Sequence, residues 1–136
     1  YVILRISNVY GPNQAGKGLI PTLVDAFKKE EMAQLRDKNS FRDHIYVEDV
    51  IDAILLSAKD DVNNLIINIG FGKTYTVGDV VETINKISNK TLKVNYIGAE
   101  SKEVHGFGVD ISLANNALDF YPKFDLEKGL KEMLGF

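Results

Sequence analysis

Apolar and polar positions along this chain fall in blocks whose period switches between that of a strand and that of a helix. Residues 1–6, Tyr-Val-Ile-Leu-Arg-Ile, form a short apolar run of strand length and predict a buried strand. Asn8 to Lys17 is rich in Asn, Gly and Pro, and Gly11-Pro12 marks a turn within what reads as a loop. Ile20, Leu23, Val24 and Phe27 recur at helical spacing, and Pro21 suits the first turn, where its missing N–H has no intrahelical partner to lose. Residues 33–42 are mostly polar and read as irregular, and His44 to Val47 reads as extended. Val47, Val50, Ile51, Ile54, Leu55 and Ala58 then predict an amphipathic helix. Leu65 to Ile69 is a nearly continuous apolar run and predicts a second strand, closed by Gly70.

A third helix is predicted over residues 76–88, with Thr76 and Asp79 spaced as a capping box and Val77, Val80, Val81, Ile84 and Ile87 as its apolar stripe. Residues 92–97 predict a strand and residues 98–109 a glycine-bearing loop. Asp110 is positioned to cap a short helix carrying Leu113, Ala114, Ala117 and Leu118. Pro122 ends it, and Asp125 is positioned to cap a last helix through Leu126, Leu130, Met133 and Leu134. Strands alternating with helices predict an α/β chain with parallel strands, and without a linker or internal repeat it reads as one region, 1–136.

Charge narrows the classes. Sixteen Lys and Arg against nineteen Asp and Glu give a net charge of -3, and a general nucleic-acid binder would carry a basic surplus instead. The absence of cysteine excludes disulfides, thiolate catalysis and cysteine-held zinc, and two histidines are too few for a multi-histidine metal site. No apolar run approaches the roughly 18 residues of a membrane-spanning helix. The first residue is Tyr1 rather than Met, in a strand-like run with no cap or turn before it, which predicts the C-terminal part of something longer.

Two segments carry candidate chemistry. Gly70-Phe71-Gly72-Lys73-Thr74 lies between a strand and a helix and mimics the end of a phosphate-binding loop. A P-loop needs glycine at 67 and a dinucleotide fingerprint needs it at 75, but these positions are Ile67 and Tyr75. The glycines therefore read as serving the geometry of the turn. In Phe41-Arg42-Asp43-His44, strand alternation places Arg42 and His44 on one face and Asp43 on the other, which argues against an Asp43–His44 dyad. Arg42 reads either as an ion-pair partner of Asp43 or as a bidentate clamp for phosphate. The tyrosines are scattered over different elements, and the residues themselves show ligand-binding loops without a catalytic group.

Several segments, in order, resemble the extended short-chain dehydrogenase/reductase family of NAD-dependent nucleotide-sugar epimerases and dehydratases. Leu4-Arg5-Ile6-Ser7-Asn8-Val9-Tyr10-Gly11-Pro12 is similar to that family's strand and Asn-x-Tyr-Gly-Pro loop, and Leu19-Ile20-Pro21 to its next helix entry. Arg42-Asp43-His44-Ile45-Tyr46-Val47-Glu48-Asp49 resembles its Arg-Asp-Phe-x-x-Val-x-Asp segment. Asn68-Ile69-Gly70-Phe71-Gly72 matches its Asn-Ile-Gly-x-Gly turn, and Asp110 to Leu118, Pro122 and Leu126 to Leu130 resemble its C-terminal end.

The resemblance implies the C-terminal, substrate-binding part of an extended Rossmann-type enzyme, with a few sheet strands and about five helices. NAD would be bound mostly by an N-terminal Rossmann half carrying the glycine-rich loop and the Tyr-x-x-x-Lys pair, neither of which is found here. It implies that Asn8 and Arg42 bind the diphosphate of a nucleotide-sugar, that Leu19 packs near the base, and that Ile6 and Ser7 sit against the nicotinamide. Glu103 stands where the family often carries a carboxylate or histidine on the ribose. The implied partners are a nucleotide-diphosphate sugar and the N-terminal half, with no nucleic acid or membrane, in a cytoplasmic enzyme. An unpaired apolar strand edge predicts self-association, a homodimer being one form it can take.

Departures from the family pattern are specific. Arg36-Asp37-Lys38 replaces the usual Gly-Asp-Gly, Leu35 stands where an aromatic often stacks on the base, and Glu100 stands at an arginine position, with Lys102 and His105 as nearby substitutes. The alternative function is a non-catalytic binding or regulatory module with the same fold.

Overall fold

A computed structural model describes residues 1–14, 18–59, 61–98 and 106–136. Among them lie eight strands and five helices. β1 (Val2–Ile6) and β5 (Leu65–Ile69) pair in parallel, with Ile3 beside Ile66 and Leu4 beside Ile67. A parallel pair requires a crossover, and α2 (Val47–Ser57) lies between them in sequence and packs against β1.

β4 (Phe41–Tyr46) is the junction of the fold. Its last three residues run parallel to β2 (Asn8–Tyr10), and its first three pair antiparallel with β6 (Thr74–Thr76). Phe41 and Arg42 also pair in parallel with β8 (Gly106–Phe107). β3 (Ala33–Leu35) and β7 (Val94–Tyr96) form a separate parallel pair.

The alternation of side chains along β4 separates two apolar cores. Ile45 packs with Val50 and Ala53 of α2, Ile67 and Ile69 of β5, and Ala114, Leu118 and Phe120. Tyr46 belongs to the other core, with Ile20, Leu23 and Val24 of α1 (Leu19–Lys29), Val80 and Ile84 of α3 (Val77–Ser88), and Leu126 and Leu130 of α5 (Leu126–Leu134).

Helix starts follow the sequence closely. The Thr76 hydroxyl accepts from the Asp79 N–H at 3.0 Å, and the Asp79 carboxylate accepts from the Thr76 N–H at 2.7 Å, completing the capping box. Asp125 accepts from the Lys128 N–H at 2.8 Å and caps α5. α4 (Ser112–Leu118) begins one residue later than a cap at Asp110 requires, so Ile111 occupies the cap position. The Asp110 carboxylate still accepts from the Ser112 N–H, at 2.8 Å.

Several expectations change, among them the loop over residues 98–109, within which β8 forms at Gly106–Phe107. Asn8 to Tyr10 is a strand rather than the start of a loop, because β4 supplies its pairing partner. Residues 33–42 are not irregular throughout: β3 forms within them, paired by a strand about 60 positions away, as loop closure at modest entropic cost allows. β1 is not a buried strand, since Tyr1, Ile3, Arg5 and Ile6 are exposed and only Val2 and Leu4 pack on a core.

Candidate functional site

A cavity of about 480 Å³ opens between β2, β4, the start of α1 and the β6–α3 corner. Its walls bring together Ser7 and Asn8, Leu19, Arg42 and His44, and Tyr75. The volume is within the range that holds a drug- or nucleotide-sized ligand.

Strand register explains the convergence. Asn8 lies beside His44 across the parallel β2–β4 pair, and Arg42 lies beside Tyr75 across the antiparallel β4–β6 pair. Registered neighbours share a face, and Arg42 and His44 share one by alternation. Four polar or aromatic side chains therefore line a single sheet face. Leu19 and Pro21, at the start of α1, supply an apolar wall opposite them.

Arg42 is half-buried. Its Nη1 donates to the Phe41 carbonyl at 2.6 Å, and its guanidinium sits 5.3 Å from the centre of the Phe107 ring. These contacts hold a planar fork at the cavity wall, the shape that matches a phosphate bidentately. His44 is 7% exposed, and its Nε2 has no hydrogen-bond partner among the described residues. Burial, and then the neighbouring Arg42 cation, lower its pKa to about 4, so the ring is neutral at physiological pH. Tyr10 contacts the ring edge-on at 6.4 Å. Burial also raises the phenols of Tyr10 and Tyr75, which stay protonated.

Asp43, on the opposite face, is fully buried and serves the fold. Its carboxylate accepts from the N–H groups of Phe71 and Gly72, each at 2.8 Å, and from the Ser7 hydroxyl at 3.3 Å. The Ser7 hydroxyl also approaches the Asp43 carbonyl, at 2.5 Å. The glycine turn that mimics a phosphate loop therefore already holds an anion, supplied by the chain itself. A Cβ at Gly70 would overlap Val109 and crowd the Asp43 carboxylate, and Gly72 has φ +80, so both glycines are geometric requirements. Asp49 acts similarly, accepting from the N–H groups of Lys123 and Phe124 at 2.8 and 3.1 Å and fixing the approach to α5.

Of the residues singled out from the sequence, Ser7, Asn8, Leu19 and Arg42 meet at the cavity. Ile6 is exposed at the end of β1 and does not line it. Glu103 lies outside the described residues, as do Glu100, Lys102 and His105. Leu35 is buried in the α1–α3–α5 core, so it is not placed as a surface for stacking. Tyr75, Ser40 and Gln14 also line the cavity, Tyr75 being brought there by its long-range antiparallel pairing with Arg42. The N–H groups of Phe71 and Gly72 are taken by the Asp43 carboxylate, so this glycine turn does not offer them to a pyrophosphate.

Residues 1–70 match the model of the NAD dependent epimerase/dehydratase family. The chain is 33% identical over 140 residues to a putative UDP-glucose 4-epimerase from Methanocaldococcus jannaschii, covering 100% of this chain and 45% of that protein. Among solved structures, UDP-glucose 4-epimerase from Thermotoga maritima with UDP-glucose superposes with TM-score 0.89 at 29% identity, covering 99% of this chain and 45% of that one. UDP-glucuronic acid 4-epimerase from Bacillus cereus, in complex with UDP-glucuronic acid and NAD, gives TM-score 0.87 at 26% identity, covering 98% and 44%. The fold class is thus that of an α/β epimerase-type chain with parallel strands and five helices. The chain belongs to the NAD dependent epimerase/dehydratase family, and it spans less than half the length of the relatives it matches.

Proposed function

We infer that this chain is the nucleotide-sugar-binding, C-terminal portion of an NAD-dependent nucleotide-sugar epimerase or dehydratase. The observation that carries this reading is the single cavity in which Asn8, Leu19 and Arg42 meet. The Arg42 fork clamps the diphosphate, the Asn8 amide adds a hydrogen bond, and Leu19 supplies an apolar wall for the base. NAD, when bound by the rest of the enzyme, supplies the hydride acceptor. The residues described here bind and orient the sugar, and catalytic proton transfer belongs to groups outside this chain.

An uncovered surface supports the same reading. Ile3 and Ile66 are register partners on one face of the β1–β5 pair, and both are exposed. Parallel sheets are normally covered on both faces. The rest of the enzyme, a Rossmann half, docks on this surface.

Titration of the chain with UDP-glucose, dTDP-glucose and CDP-glucose tests the binding role, with glucose 1-phosphate as the comparison. Saturable binding of at least one nucleotide-sugar, tighter than that of the sugar phosphate, is expected. Binding of none would overturn the reading. Incubation with NAD and UDP-glucose should give no product, and turnover above a blank would contradict the assignment as a binding portion.

A further inference from the structure

Resting on that reading of the cavity, we propose that His44 is a specificity-determining residue whose neutral imidazole takes a hydroxyl group of the bound nucleotide-sugar. His44 is more than nine-tenths buried, lines the cavity, and leaves Nε2 without a partner among the described residues. An unsatisfied buried polar atom is costly, so a chain selected for stability alone would favour an apolar ring here. The surroundings would suit one, because Tyr10 already contacts the imidazole edge-on.

Register places the ring beside the groups assigned to the diphosphate. Asn8 is its register partner on β2, and Arg42 lies two residues earlier on the same face of β4. A diphosphate held by Arg42 and Asn8 would bring the sugars on either side of it past His44. The χ2 torsion of histidine is broad, so a modest ring rotation turns a nitrogen into the cavity. A neutral imidazole carries one donor and one acceptor nitrogen. A hydroxyl can donate to the one or accept from the other, whereas beside the Arg42 guanidinium a second cation would be unfavourable. The hydroxyl belongs either to the ribose or to the hexose.

The test compares wild type, His44→Phe and His44→Gln in calorimetric titrations with UDP and with UDP-glucose, alongside thermal melts. His44→Phe should weaken UDP-glucose binding about tenfold, as expected for one lost hydrogen bond, while holding or raising the melting temperature. His44→Gln should recover part of the affinity. A loss confined to UDP-glucose assigns the contact to the hexose, and an equal loss for UDP assigns it to the ribose. The chain has two histidines, so the His44 imidazole nitrogen signals, assigned by their disappearance in His44→Phe, should shift on saturation with UDP-glucose. If Arg42→Ala weakens binding while His44→Phe binds like wild type and the signals stay in place, the inference falls and the cavity assignment stands. If wild type binds neither ligand, both fall.

Discussion

Asp43 and Gly72 are joined by a hydrogen bond of 2.8 Å in which a buried carboxylate accepts from the backbone N–H of a glycine turn 29 residues away. Phe71 donates to the same carboxylate at an equal distance. The pair of bonds ties β4 to the turn after β5, and so holds the Arg42–His44 face in place against the parallel strands. Asp43→Asn can keep one bond but presents an NH₂ group to the other N–H. It should destabilise the chain by about 1–3 kcal/mol, the cost of a buried donor left unpaired. Urea denaturation measures this, and wild-type stability in the variant would show that the carboxylate does not hold the turn.

Gly70→Ala tests the same corner by crowding. Its Cβ would overlap Val109 and lie 2.9 Å and 3.0 Å from the two carboxylate oxygens of Asp43. A loss of about 1–3 kcal/mol is expected, as for other insertions into packed sites. An unchanged urea midpoint would mean that the corner has room to relax.

The two ends of the Asp43 network differ in how far the sequence discloses them. The glycine turn and the rejection of a dinucleotide fingerprint were legible from spacing at 67, 70, 72 and 75. The anion that fills the turn was not, because nothing local links residue 43 to residues 71 and 72. All five helices were legible, since their apolar stripes and the Thr76 and Asp125 caps are short-range signals. β2, β3, β6 and β8 were missed because strands of two or three residues owe their existence to distant partners. The shared face of Arg42 and His44 followed from strand alternation. Tyr75 joined it only through the antiparallel register of β6.

His44 makes stability depend on pH. Its pKa is lowered from 6.5 to about 4 by burial and by Arg42, while Tyr10 and Tyr75, from β2 and β6, are uncharged neighbours on the cavity side. The unfolded chain therefore takes up the proton first as pH falls. The penalty is absent above about pH 6.5, grows as pH falls through 4, and amounts to about 3 kcal/mol at full extent. Denaturation of wild type and His44→Phe across this window should show a steeper decline for wild type. Parallel curves would mean that His44 protonates as easily in the folded chain as in the unfolded one.

The bare face of the β1–β5 pair should bind a hydrophobic dye and drive association of the chain. Ile3 and Ile66 are neighbours on it. Ile66→Lys should reduce both dye fluorescence and the associated fraction in sedimentation velocity, with little change in melting temperature because the residue is exposed. A wild-type chain that is monomeric at high concentration and binds no dye would show that this face needs no partner.

The central claim is that Arg42 holds a nucleotide diphosphate, and calorimetric titration of UDP-glucose into wild type, Arg42→Ala and Arg42→Lys tests it most directly. A charged hydrogen bond to phosphate is worth about 1.5–3 kcal/mol. Arg42→Ala should therefore weaken binding about ten- to a hundredfold. Arg42→Lys should restore only part of it, since an ammonium lacks the planar fork, and melting temperatures should stay close to wild type. Equal affinities in all three proteins, with a lowered melting temperature in Arg42→Ala, would make Arg42 a structural residue and contradict the account.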